Sequence, residues 1–297
     1  MAAFAGAYQT VTTADKFIPD VWSMEVLRAT EDALVMAPLV KRYDSLVQKR
    51  GDTVHIPNLS NLSANDKVAE TQVTPQAPTE TETTIDIDKH KEASFLVEDI
   101  AKVQSNYDLL GEYTKKAGYA IAEVIDTDLL ALYSGLSQTA GTAGTNITAA
   151  TFLTAVEYLD IANAPLENRN FVIHPKLKTA IAQIDTFIRA DYLGNYQSAK
   201  PAAVGPKSRS MWGELYGVPT YYTNQVTVTT GTGTGDDVFN NVLFHKEAFA
   251  LALQRKPRVQ SEYLLDWLGT LVVVDTIYGV KELRDSFGVW VKSGPAQ

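Results

Sequence analysis

The sequence predicts an α+β fold on three observations. Between Tyr43 and Phe95 there is no Phe, Trp or Tyr, yet the end of that stretch alternates like a strand, from Thr81 through Ile85 to Asp88. Apolar residues then recur every three or four positions from Leu110 to Leu132, the period of one long helix. The last part of the chain carries three apolar strand-like runs, at 251–264, 270–281 and 287–292.

The aromatic-free stretch is the most informative of these. Its middle is Thr, Glu, Asn and Pro with isolated small apolar residues, too little to offset the entropy of ordering it. A two-stranded arm with no core of its own must be held from outside the subunit. The chain therefore reads as a protein whose function is assembly.

In chain order, residues 1–19 read as an extended arm rich in Ala and Thr. Val21, Met24, Leu27, Leu34 and Val35 have helical spacing over 20–36, with Asp20 as N-cap and Pro38 as the stop. A strand is expected at Thr53–Ile56. The arm follows over about 57–84, where Pro57, Pro75 and Pro78 interrupt any continuous ladder. A return strand is expected over about 84–98, carrying Ile85, Ile87, Phe95 and Val97.

The helix expected at 106–134 has Asn106 as cap and Leu110, Tyr113, Ala117, Ile121 and Val124 along its stripe. At 1.5 Å per residue it would be roughly 40 Å long. Ordinary helices average about 11–12 residues, so this one must act as a spine. Gly135 to Asn146 is a small-residue linker and a candidate domain boundary. Beyond it, helices are expected at 151–163 and 176–184 and a buried strand at Asn170–His174. A long loop is expected at 186–210. Strands follow at 215–222 and 225–229 around a turn at Thr223-Asn224. The run GTGTGDD at 231–237 reads as a turn, followed by a strand at Phe239–Phe244 and a short helix at 246–250.

Composition narrows the function. The chain has 297 residues, enough for one large domain or two smaller ones, with 45% hydrophobic and 21% charged residues. A net charge of −9 argues against tight sequence-independent DNA binding, which needs a dense basic surface. With no cysteine there is no disulfide, thiolate metal site or Cys nucleophile. MAAFAGAYQT lacks the basic and apolar regions of a signal peptide. Trp267 to Val280 is too short, and too interrupted by Asp275, to span a bilayer.

Catalytic motifs find no foothold. His55, His90, His174 and His245 show no metal-ligand spacing, so no cofactor or metal is expected. Arg50-Gly51-Asp52 matches an adhesion tripeptide but sits where a turn enters a strand, and a turn is the better reading. Asp86 and Asp88 share a strand face that suits solvent or an intersubunit salt bridge better than acid–base work. Gly231, Gly233 and Gly235 are mis-spaced for a phosphate loop. Arg189, Lys200, Lys207 and Arg209 make a modest basic loop, open to solvent, nucleic acid or a neighbour's carboxylates.

The layout of N-terminal arm, hairpin, spine helix, α/β region and returning strands resembles the major capsid protein of tailed bacteriophages with the HK97 fold. The strings FIPDVWSMEVLRATEDALVMAPLVKR (17–42), GDTVHIPN (51–58), DKHKEASFLVEDIAKVQSNYDLL (88–110), FVIHPKLKTAI (171–181) and LYGVPTYYTNQV (215–226) carry the resemblance by their order and spacing. It implies an N-arm and N-terminal helix at 1–40, and an E-loop hairpin with peripheral-domain strands at 41–100. It further implies the spine helix at 101–147, an axial domain at 148–250, and returning strands, mainly peripheral, at 251–297.

The implied function is a non-enzymatic shell protein that self-assembles through pentamers and hexamers into an icosahedral capsid. Its partners would be copies of itself, a scaffolding protein, a portal, a decoration protein and double-stranded DNA held without sequence-specific binding. No membrane is involved. The implied location is the virion, assembled in the bacterial host cytoplasm. Assembly contacts are expected at the E-loop tip from Asn61, Asn65, Asp66, Lys67, Glu70, Thr79, Glu80 and Glu82, and in the N-arm from Phe4, Tyr8 and Phe17. Leu110, Tyr113, Ile121 and Val124 are expected to pack the spine. No scaffold-like segment precedes the arm, so a separate scaffold or prior processing is expected. Lys67 is the only lysine of the tip, and no crosslinking partner can be matched to it. The alternatives are an encapsulin-type cellular compartment and an unrelated soluble α/β binding protein.

Overall fold

The computed structural model describes residues 35–47, 51–59, 62–73, 75–99, 109–184, 211–231 and 237–294. Residues 20–34 of the helix expected over 20–36, its Asp20 cap, the Asn106 cap expected for the long helix, the loop at 186–210 and most of the 231–237 turn lie outside them.

Two sheets share one apolar core. The first has four strands in the order β1 (Lys41–Arg42), β11 (Phe249–Leu264), β12 (Gly269–Glu282) and β4 (Lys89–Glu98). On β12, Val272, Val274 and Tyr278 are fully buried on one face, while Val273 and Ile277 on the other are only half-buried. That alternation tells a strand covered on one side only.

After a single helical turn, α1 (Asp44–Val47), the covering element is the spine helix α2 (Leu109–Leu130), continued by a 3₁₀ turn over Ala131–Gly135. Its 22 residues make it about 33 Å long at 1.5 Å rise. Ala117, Ile121, Ile125 and Leu129 form its buried stripe. Phe95 of β4 meets Tyr113 with ring centroids 5.6 Å apart. Tyr278 donates its hydroxyl to Asp128 on the helix at 2.7 Å, and Lys89 of β4 pairs with the same carboxylate at 2.9 Å.

The second sheet has seven strands. Its main path is β5 (Thr139–Ala140), β13 (Gly288–Ser293), β10 (Val238–His245), β6 (Arg169–Ile173), β8 (Val218–Tyr222) and β7 (Met211–Leu215), and β9 (Val228–Thr229) pairs with β10. β6 is buried along its whole length, as a central strand must be. Helix α3 (Ala149–Ile161) is capped by Thr148, whose hydroxyl accepts the Thr151 N–H at 3.2 Å. It packs Phe152 edge-on against Phe171 of β6. Arg169 closes the α3–β6 connection from within, donating to the carbonyls of Pro165 and Ala164 and pairing with Asp160 at 2.7 Å.

The third sheet is the arm alone: β2 (Thr53–Leu59) pairs antiparallel with β3 (Glu80–Asp86), Thr53 opposite Asp86 and Leu59 opposite Glu80. The return strand expected over 84–98 is therefore two strands in two sheets, broken at Ile87-Asp88. The break lies against Gly279 of β12, where a Cβ would fall onto the Asp86 carbonyl and within 3.2 Å of the Ile87 Cα. A side chain at 279 leaves no room for the crossing.

Other expectations shift in detail. The single strand expected at 215–222 is the hairpin β7–β8, turning at Tyr216 and Gly217 with φ of 48° and 78°, the left-handed pair that a two-residue turn requires. The short helix expected at 246–250 is a turn leading straight into β11, because Phe249 to Leu253 are all buried, Phe249, Leu251 and Leu253 in the main core and Ala250 and Ala252 in the small core under the arm, as suits a strand covered on both faces. The helix expected at 176–184 is a 3₁₀ turn at Pro175–Leu177 and a short α4 (Lys178–Ala182). Val35 and Met36, expected to end a helix, sit in a buried bend. The three late strands stand at the expected places but divide: β11 and β12 join the spine helix's sheet, and β13 joins the seven-stranded one.

Candidate assembly surfaces

The arm is the largest feature that the subunit itself does not cover. At its base, Val54 and Ile85 are buried with Val47, Ala250 and Ala252 in a small core separate from the main one. The arm is thus rooted, which its composition did not reveal. Beyond the root all support ends: every described residue from Leu62 to Glu82 is exposed, including the apolar Leu62, Val68 and Val73. Gln76 clamps the two legs of the tip by accepting the Ser63 N–H at 3.1 Å.

Asn65, Asp66, Lys67, Glu70, Thr79, Glu80 and Glu82 all lie in this exposed tip or on its two legs, and Asn61 is outside the described residues. Lys67 is turned inward: its ammonium donates to the carbonyl of Val68 at 2.7 Å and to that of Thr71. It closes a local turn around Glu70, whose φ is +62°. Glu82 accepts from His55 across the ribbon at 3.2 Å. Phe4, Tyr8 and Phe17 lie outside the described residues. On the spine helix, Leu110 and Ile121 are buried, while Tyr113 and Val124 are half-buried.

A buried contact ties the chain to the spine helix at Val35 and Met36. Asp126, buried on the spine helix, accepts the backbone N–H groups of Val35 at 3.0 Å and Met36 at 3.2 Å. Burial pushes its carboxyl up to about 6, against the pull of the two N–H donors. Sequence reasoning missed this residue. An Asp on the apolar stripe of an amphipathic helix was the available signal.

A third group lies on the outer face of the four-stranded sheet. Asp275, with a side chain only 6% exposed, accepts Arg258 Nε at 2.6 Å and Arg255 Nη1 at 3.2 Å, and His90 Nε2 stands 3.4 Å away. These donors hold the carboxyl below the usual carboxylate range, against its burial.

The histidines serve structure. His174 stacks on Phe239 at 4.6 Å and accepts the Lys176 N–H, and His245 packs edge-on against Phe287. Burial lowers both imidazoles. Asp86 and Asp88 are exposed. Among the described residues no group of three or more His, Asp or Glu side chains could hold a metal ion. Among them, too, no helix is long and apolar enough to cross a membrane.

A rooted, exposed two-stranded arm beside a long spine helix, a four-stranded sheet and a separate seven-stranded sheet is the HK97-type α+β capsid architecture. The family model described as phage capsid protein matches residues 80–291, and the chain belongs to that family. It is a capsid protein, a structural component of a phage shell.

Solved structures agree on the fold. A chain from Mycobacterium phage Che8 superposes with a TM-score of 0.69 at 22% identity, covering 98% of each chain. The capsid of cyanophage P-SCSP1u gives 0.68 at 18% identity, over 100% of this chain and 93% of that one. The capsid of Ralstonia phage GP4 gives 0.68 at 12% identity, over 87% and 88%. No curated protein matches the sequence.

Proposed function

We propose that the chain is the repeating subunit of an icosahedral phage shell, joined into pentamers and hexamers by its N-terminal arm and its β2–β3 arm. The observation that carries this reading is the arm itself, rooted in the subunit yet exposed at every described residue from Leu62 to Glu82. Such a segment orders by hydrogen bonds and charge pairs at a neighbour's surface. Heterologous contacts of this kind close into rings when the rotation permits. Arms on several neighbours multiply weak contacts into a durable whole. Permanent interfaces bury roughly 2,000–5,000 Å² or more.

In this reading residues 1–40 form the N-arm, 41–100 the E-loop and its root, 101–147 the spine, 148–250 the axial domain and 251–297 the returning strands, with β13 lending itself to the axial sheet. Scaffolding protein, portal and decoration protein are its partners, and assembly takes place in the host cytoplasm. The net charge of −9 leaves packaged DNA free to move against the wall. The protein acts without catalysis. The encapsulin alternative is not favoured, since the matching family model is that of phage capsids.

Deletion of residues 62–79 tests the reading. Subunits should remain folded, with an unchanged melting transition, and fail to form stable shells by negative-stain microscopy. Normal shells from the deleted chain would overturn the role of the arm.

A further inference from the structure

The Arg255–Arg258 pair on β11 is only half used by its own subunit. Arg258 spends its Nε on Asp275, and Arg255 spends one Nη. Both Nη groups of Arg258, and the Nε and second Nη of Arg255, have no partner among the described residues. The two side chains are 44% and 41% exposed around a carboxylate that is 6% exposed. A buried acid therefore fixes two guanidinium groups and leaves their remaining donors facing outward.

The strand that carries them is shaped for this. β11 pairs with β1 only at Ala250 and Leu251, so among the described residues no strand pairs with its outer edge at Arg255 to Arg258. Register shifts lie between Leu253 and Arg255 and between Arg255 and Arg258. Such irregularities re-aim side chains at sheet edges. Pro257 and exposed Lys256 between the arginines block backbone pairing there. This stretch of edge thus offers charge and withholds its ladder.

On the arm, β3 carries the complement. Glu80 and Glu82 alternate onto one face, about 7 Å apart as strand geometry sets for residues two apart. Both are exposed, and Glu80 has no side-chain partner among the described residues. From Leu62 to Thr84 the arm holds four acidic side chains and one lysine, and that lysine is turned into its own loop.

We propose that Arg255 and Arg258 form a receptor for the carboxylates of Glu80 and Glu82 on the arm of a neighbouring copy of the chain. The inference rests on the reading that the arm lies across a neighbour, and adds where it lands. Guanidinium groups already oriented by Asp275 bind carboxylates through paired N–H donors with little further ordering. Asp275 is the positioning residue.

The chain has no cysteine, which makes the contact directly testable. Two single variants, Thr81→Cys at the exposed position between the two glutamates and Lys256→Cys, are co-expressed, recovered as particles and treated with a short bis-maleimide linker. Only contacts between different subunits can join the two. The expected result is a crosslinked dimer in shells and none among free subunits. The arm variant Glu80→Lys/Glu82→Lys, altered only at exposed sites, should keep its subunit melting transition while shell yield falls about tenfold or more. Shells that form without the crosslink and tolerate the charge reversal would overturn the receptor and leave the shell reading standing. A wild-type chain that forms no particles would overturn both. A crosslink that appears only in DNA-filled particles would also contradict the receptor, since carboxylate docking needs no nucleic acid.

Discussion

The molecule contains two long antiparallel hairpins with opposite fates. β11 and β12 run side by side from Phe249 to Glu282, with Leu251, Leu253, Val259, Val272, Val274 and Tyr278 buried on one face. That face closes on the spine helix, and the ribbon becomes the middle of a sheet. β2 and β3 have the same alternation, but among their described side chains only Val54 and Ile85 are buried. Their ribbon leaves the body after one layer of core. Alternation makes a hairpin. The apolar content of one face decides whether it docks on its own subunit or waits for another.

Substitutions can break that contrast. The largest effect is expected in the shared core, where Phe171→Ala should cost about 3–5 kcal/mol, a loss typical of buried aromatic residues. Val73→Ala at the arm tip should change subunit stability by less than about 0.5 kcal/mol. Urea unfolding of the isolated subunit measures both. A tip substitution as costly as the core one would mean that the arm is packed within its own chain.

Next is Gly279→Ala, at the point where the chain passes from arm to sheet. Its Cβ would meet backbone of Asp86 and Ile87, which cannot rotate away. A loss of about 1–3 kcal/mol is expected, as for overpacking. The arm root should lose amide protection before the seven-stranded sheet does.

The third effect is pH-dependent. Asp126 is raised from 3.8 to about 6 in the folded chain, so the native state holds a proton there that the unfolded state has released. Its contribution is full below about pH 4 and is lost as pH rises through 6, with a total on the order of 3 kcal/mol. Asp126→Asn keeps one acceptor oxygen for the Val35 and Met36 N–H groups and removes the titration. Its stability should be flatter between pH 4 and 6 than that of the wild type. An equal slope in both proteins would assign the dependence elsewhere.

Much of this was legible in the sequence, for identifiable reasons. The spine helix and the late strands were visible because long apolar periodicity survives any tertiary context. The arm was visible through what it lacks. Its root was hidden, because Val47, Val54, Ile85, Ala250 and Ala252 come together from three separate segments. The break between β3 and β4 was hidden too, since its cause is a glycine almost two hundred residues away. The turn at Tyr216-Gly217 was missed because a tyrosine with positive φ is a poor turn signal on its own. Asp126 and Asp275 stand out among apolar neighbours in the sequence, but their partners, the Val35 and Met36 N–H groups and the Arg255 and Arg258 side chains, meet them only in the fold.

Hydrogen exchange on the free subunit and on the assembled shell most directly tests whether the arm's order belongs to the assembly. Backbone amides over residues 62–73 and 75–82 should exchange fast in the free subunit and slowly in the shell, while those of β6 and β10 stay slow in both. An arm already protected in the free subunit, or still unprotected in the shell, would contradict the account.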